Sequence, residues 1–306
     1  MYTFSKRLKT FSFALMIVGL VGIAWGFFNA PSTVEEAKEI VAHNESHDTH
    51  ASEATHTVDA SHDTHDASHD EHIFHQLQNR PWSALYVAIF FFMMLSLGVL
   101  AFYAIQQVAQ AGWSIVLFRV MEGITAYLPI GAVILFVFLV LSSLHMNHVF
   151  AWMNPELLDP ASPKYDHLLA DKASYLNVPF FLIRAVIYIV GWVLYQRYAR
   201  KQTLALDQAI EGNLTHYKKM MGASAAFLVF FLVSESMMSW DWLMSIDHHW
   251  FSTLYGWYVF SGMFVSGITT IAMVTIYLKS RGYLEYVNDS HLHDLAKFMF
   301  GFSIFW

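Results

Sequence analysis

Glu122, Glu235, Asp241, Asp247, Arg119, Arg184, His248 and His249 stand in or near long apolar runs of this sequence. Charge is costly in such places and therefore suggests a function. Arg184 and Glu235 each interrupt an otherwise uncharged run, about six and about five residues from the ends that the orientation below places together. That shared depth predicts an ion pair between them, so that reversing both charges should restore stability lost on reversing either. Arg119 and Glu122, spaced i,i+3, lie on one side of a helix and with Thr125 and Tyr127 would line a polar entry at the opposite face. Two polar vestibules with a dry middle suit two proton half-paths better than an open ion channel; structural ion pairing in a helix bundle is the plainer alternative. The densest polar patch is Ser239-Trp240-Asp241-Trp242-Leu243-Met244-Ser245-Ile246-Asp247-His248-His249-Trp250. Asp241, Asp247, His248 and His249 among indoles could exchange protons, since an isolated imidazole titrates near neutrality. They could also contact a quinol headgroup or dock a partner, and the plainer reading is interfacial anchoring with subunit contact. His145 and His148 close an apolar run on the same side.

The elements that must position these residues are transmembrane helices. Of 306 residues, 56% are hydrophobic and 13% charged, about half the charge of a soluble domain. A net charge of −7 excludes a nucleic-acid binder with a basic face. An apolar run of about 20 residues spans the hydrocarbon core as a helix, and six do so here: Phe11–Ala30, Trp82–Ile105, Gly123–Leu144, Val178–Gln196, Met220–Trp240 and Trp250–Leu278. The runs are too long, and alternate too little, for a β-barrel. A seventh run starts at Phe298 and is cut at Trp306, which predicts a C-terminally incomplete bundle. The expected fold is therefore all-α, a polytopic bundle of six full spans plus the start of a seventh.

Lysine and arginine set the orientation. With the N-terminus in the cytoplasm, inner segments hold twelve of these residues and outer segments four. Residues 1–30 then form an N-terminal helix; its apolar stretch exceeds that of a signal peptide, and Phe28-Asn29-Ala30-Pro31 lacks a small-x-small cleavage site. Residues 31–80 form an outer, His/Asp-rich loop, and residues 81–306 the bundle proper. The stretch His43–His75 holds nine of the seventeen histidines and repeats Ser46-His47-Asp48-Thr49-His50 as Ser61-His62-Asp63-Thr64-His65. Its low hydrophobicity and dense acid predict disorder. Imidazoles beside carboxylates bind Zn, Ni or Cu, yet nothing fixes these ligands, so a solvated tether with incidental metal affinity is the plainer reading.

The chain has no cysteine, which excludes disulfides, thiolate metal sites and thioether-attached haem. Every histidine falls in a loop or at a helix end, so no intramembrane haem is expected, and no nucleotide-binding loop is present.

Two stretches, Tyr175-Leu176-Asn177-Val178-Pro179-Phe180-Phe181-Leu182-Ile183-Arg184 and Ser239-Trp240-Asp241-Trp242-Leu243-Met244-Ser245-Ile246-Asp247, resemble the F subunit of bacterial alternative complex III, a quinol:cytochrome c (or quinol:oxidase) oxidoreductase. The run from Trp250-Phe251-Ser252-Thr253 through Tyr258 to Ser261-Gly262 does so too, and the resemblance extends from about Trp82 to the end of the chain. It implies a polysulfide-reductase-like (NrfD-like) subunit of the bacterial inner membrane, with no redox cofactor of its own. Its neighbours would be lipid, a sister quinol-binding membrane subunit, periplasmic iron–sulfur and multihaem cytochrome c subunits that carry the clusters and haem c, and in some complexes a terminal oxidase. In the sister subunit of that family the corresponding Trp is followed by His, whereas here Phe251 follows Trp250. A phenyl ring moves no proton, so the resemblance makes a quinol site in this chain secondary to scaffolding and docking. The candidate proton path runs through Arg119 and Glu122 on the inner side and Arg184, Glu235, Asp241 and Asp247 on the outer side. No metal site and no catalytic residue is expected.

The competing class is a secondary transporter or metal permease that collects metal with His43–His75. It would need ligands at mid-membrane depth, and the sequence shows none there. Deleting residues 43–75 should abolish metal uptake in a transporter and leave electron flux intact in a respiratory subunit, measured as metal accumulation and quinol-dependent oxygen consumption.

Overall fold

A computed structural model describes residues 6–48, 63–210 and 212–306. The described residues are helical and turn structure without a strand, and six helical stretches are long and apolar enough to cross a membrane. These are Lys6–Phe28, Ile73–Val108, Gly112–Ser143, Val178–Asp207, Thr215–Ile246 and Tyr255–Ser280, one for each expected run. The chain is a multi-pass, membrane-type helical protein.

The contacts divide into two units, residues 1–87 with 147–149, and residues 88–146 with 150–306. In the first unit, helix α1 (Lys6–Phe28) has no buried residue, as suits a helix whose apolar surround is lipid. Its end packs on the start of the next span: the Phe27 and Trp82 rings meet edge to face at 4.9 Å. Helix α2 (Val34–Asp48) is fixed at its start by Glu36, whose Oε2 accepts from the Ser32 amide (2.8 Å) and hydroxyl (2.9 Å). Helix α3 runs from Asp63 to Val108. The His/Asp-rich stretch expected to be disordered is thus helical in α2 and from Asp63 onward, while residues 49–62 lie outside the described residues.

The second unit contains the rest of α3, then α4 (Phe118–Thr125), α5 (Leu128–Ser143), α6 (His167–Lys172), α7 (Val178–Asp207), α8 (Thr215–Trp242), α9 (Tyr255–Ser280) and α10 (Asp289–Phe305). Local chemistry sets their ends. Asn177 caps α7 by accepting from the Phe180 amide (3.0 Å), with Pro179 in the first turn, where its missing N–H is harmless. Gly282, at φ 78°, closes α9: its amide bonds the Lys279 carbonyl (2.9 Å) and the Tyr283 amide that of Leu278 (3.1 Å), a left-handed cap. Asn288 and His291 form a reciprocal capping box, so α10 starts at Asp289, nine residues before the apolar run that announced it.

Helices α7 and α8 pack along their length, α9 packs on α8, and α10 packs on α9. Trp152, Trp192, Trp242, Phe102 and Phe181 are fully buried. Large apolar side chains on the outer faces, such as Ile187, Leu194, Val229, Leu232 and Met273, remain exposed, as lipid-facing positions should. Helices α3 and α9 cross closely: a Cβ added at Gly98 would lie 2.5 Å from the Met263 carbonyl oxygen, and one at Gly267 3.0 Å from the Val99 amide nitrogen. Small residues at such crossings are the usual device of membrane bundles.

Candidate functional site

Among the described residues, helix α7 carries a charged network near each of its two ends. Arg184 lies in its second turn and Arg200 sixteen residues on, a rise of about 24 Å.

At the first end, Arg184 is buried and pairs with Asp241 of α8: Nε to Oδ2 is 2.7 Å and Nη2 to Oδ1 is 2.8 Å. This fork-to-fork geometry is the strongest arrangement open to the pair. The remaining Arg184 nitrogen donates to the Tyr175 carbonyl (3.1 Å), and the Tyr188 hydroxyl donates to Asp241 Oδ2 (3.0 Å). The guanidinium lies 4.0 Å from the Tyr175 ring centre and 4.3 Å from that of Phe180. The expected partnership of Arg184 with Glu235 is therefore incorrect. Glu235 stands six residues before Asp241 on the same helix, which turns it about 120° away. It is buried, its Oε1 accepts no hydrogen bond, and it pairs with no cation among the described residues. Asp241 also corrects the expected surface patch: it sits inside α8, fully buried, rather than in a loop.

Beyond the end of α8, His248 and His249 converge on Asp166. Both Nε2 atoms approach Asp166 Oδ2, at 2.9 Å and 2.5 Å. The other oxygen, Oδ1, caps α6 by accepting from the Leu168 (2.9 Å) and Leu169 (3.2 Å) amides. Burial pushes the Asp166 carboxyl up, but the two imidazoles and the Leu169 amide outweigh that and hold it well below the usual carboxylate range. Lys172 donates to the His248 carbonyl (2.6 Å). Next to this cluster lies a cavity of about 370 Å³ lined by Lys172, Tyr175, Trp240, Asp247, His248 and Trp250 among others. Of the four residues expected to form one patch, Asp247 and His248 line this cavity, His249 adjoins through Asp166, and Asp241 lies in the Arg184 network.

At the other end, Glu122 is buried and accepts from Arg119 at 2.6 Å, as the i,i+3 spacing implies. It also accepts from Arg200 of α7, and Arg119 in turn pairs with Asp207. Tyr103 bridges inward from this cluster, with its hydroxyl 3.5 Å from Glu122 Oε1 and 3.2 Å from Thr203 Oγ1. The interior between the two networks holds neutral hydrogen bonds. The Tyr195 and Ser224 hydroxyls meet at 2.7 Å, and Trp192 donates to Ser234 at 2.9 Å.

Sequence reasoning missed Asp166, Arg200 and Asp207 as site members. Asp166 had a local signal, since an Asp directly before His167-Leu168-Leu169 is a helix-cap pattern. Arg200 had none, because it reads as one more cation of a basic helix end. No known protein family and no curated protein matches the chain, so the geometry of these networks is what characterises it.

Proposed function

We propose that this chain is an integral membrane subunit of a respiratory quinol:cytochrome c or quinol:oxidase complex, without a redox centre of its own. Its N-terminus is cytoplasmic on this reading, so the Glu122 network faces the cytoplasm and the His248 cavity faces the periplasm. One observation carries the proposal. The two stretches that resemble the alternative complex III subunit meet in a single buried network, through Arg184 and Tyr175 of one and Asp241 of the other. Residues far apart in sequence that build one polar joint inside an apolar bundle support a shared structural purpose rather than chance similarity.

The chain contributes a rigid scaffold, a periplasmic docking surface and a proton path. Glu122 on one side, the buried Glu235 on the other and the Tyr195 and Ser224 hydroxyls between them are the groups available to that path. A quinol headgroup is secondary. The cavity beside Asp247 and His248 is at the small end of ligand pockets, and Phe251 lines it.

The test is purification of the tagged chain from its native membrane in mild detergent. A reduced-minus-oxidised c-type haem band with iron–sulfur and multihaem partners is expected, and a colourless, partner-free preparation would overturn the assignment. Within the complex, Glu122→Gln and Glu235→Gln are each expected to lower protons moved per electron in reconstituted vesicles while quinol oxidation stays measurable. Unchanged coupling in both variants would remove the proton path.

A further inference from the structure

We infer that Asp166, His248 and His249 form a binding site for one divalent metal ion of the Zn²⁺ class. Their ligand atoms, one carboxylate oxygen and two imidazole nitrogens, lie within 4.8 Å of one another. Two imidazoles and one carboxylate are the donor set of three-ligand zinc sites, which leave a fourth position to water. Hard ions such as Mg²⁺ and Ca²⁺ prefer all-oxygen shells and are disfavoured here.

The geometry goes beyond mere proximity. Asp166 reaches the cluster with a single free oxygen, because Oδ1 is held by the Leu168 and Leu169 amides. A carboxylate fixed in this way by neighbouring donors is how metal ligands are kept oriented. Both Nε2 atoms aim at Oδ2, and the two rings stand nearly perpendicular, at 84° with centres 4.4 Å apart. Donors around a zinc ion are spaced about 3.3 Å apart, given bonds of about 2.0–2.1 Å. The present separations of 2.9 and 2.5 Å therefore have to open by less than about 1 Å. The His249 side chain, 55% exposed, can supply that movement without disturbing the bundle.

The ion would tie the segment before α6 to the connection between α8 and α9, across 82 residues of sequence. It would thereby brace the rim of the cavity that His248 lines. This inference rests on the trio alone and is independent of the respiratory assignment.

The full chain, purified in mild detergent and stripped with chelator, would be titrated with Zn²⁺ against a chromophoric competitor. The His-rich stretch 43–75 can add weaker sites, so the readout is the difference between chains that both carry it. One tight site is expected in the native chain. His249→Ala and Asp166→Asn should each weaken it about tenfold or more, and His293→Ala, an exposed histidine outside the trio, should leave it unchanged. Co²⁺ loaded in place of zinc should give four-coordinate ligand-field absorption in the native chain that His249→Ala loses. Should His248→Ala unfold the protein, the half-exposed His249 still provides the test, with circular dichroism as the control for folding. Identical zinc affinities and cobalt spectra in native and His249→Ala chains would overturn the site.

Discussion

Replacing Asp241 with alanine is expected to destabilise the bundle by about 3–5 kcal/mol, because it strands a buried guanidinium that cannot shed its proton. Arg184 would keep the Tyr175 carbonyl and the faces of Tyr175 and Phe180, but lose both charged hydrogen bonds. The converse change, Arg184→Leu, leaves the Asp241 carboxylate buried without its cation, with the Tyr188 hydroxyl still donating to it, and should cost a similar amount. The decisive comparison is the double variant Arg184→Met/Asp241→Leu, set beside its own single variants Arg184→Met and Asp241→Leu. Replacing a buried pair by apolar groups of similar volume is often neutral, so the double variant should recover most of the loss. Thermal unfolding in detergent, run as a double-mutant cycle, measures this. Additive single losses, or single losses under about 1 kcal/mol, would show that the two side chains are not coupled. The same cycle between Arg184 and Glu235 should show no coupling.

The second large effect is expected at Gly98. Any side chain there meets the backbone of α9, whose Met263 oxygen would be 2.5 Å from the new Cβ. Backbone cannot swing aside, so Gly98→Ala must push α3 and α9 apart, at about 1–3 kcal/mol for overpacking, and Gly98→Leu should prevent assembly of the bundle. Gly191 is the control. A Cβ there comes even nearer to its neighbour, 2.3 Å, but that neighbour is the ring of Phe230. The ring is only partly buried and can rotate outward, and alanine gains about 1 kcal/mol of helix propensity over glycine. Gly191→Ala should therefore be close to neutral, although its nominal clash is the worse of the two. Retained fraction of folded protein after heating, read by gel filtration in detergent, separates the two glycines; equal behaviour would mean that the α3–α9 crossing is loose.

The six spans were legible because the bilayer imposes a length and a composition that a single sequence displays openly. Caps were legible in part: Asn177 before Pro179 announces α7, whereas α10 begins at a polar Asn288-Asp289 that carries no apolar signal. Side-chain partners were not legible. Two acids of one helix, Glu235 and Asp241, lie about 9 Å apart along its axis, and the extent and rotation of α8 decide that Asp241 is the one that meets Arg184. The closing trio failed for another reason. His248 and His249 stand out in sequence, but their partner Asp166 belongs to a polar connection 82 residues away with no periodicity to place it. The i,i+3 pair Arg119–Glu122 was readable because it is local, while Arg200 and Asp207 join it only through the packing of α7.

The charge balance of the two networks on α7 has an electrical consequence. Arg184 cancels Asp241, and Arg119 with Arg200 cancels Glu122 with Asp207, so each carries no net formal charge. An energised membrane does work on charge that moves through it, about 2.3 kcal/mol per elementary charge per 100 mV. Two neutral clusters feel almost none of that force, and the bundle is not pulled along the membrane normal when the potential rises. Glu235, buried without a cation among the described residues, is different: ionising its carboxyl would change the charge inside the bundle by one. Among the charged groups buried inside the described spans, Glu235 is thus the one whose ionisation would couple to the potential.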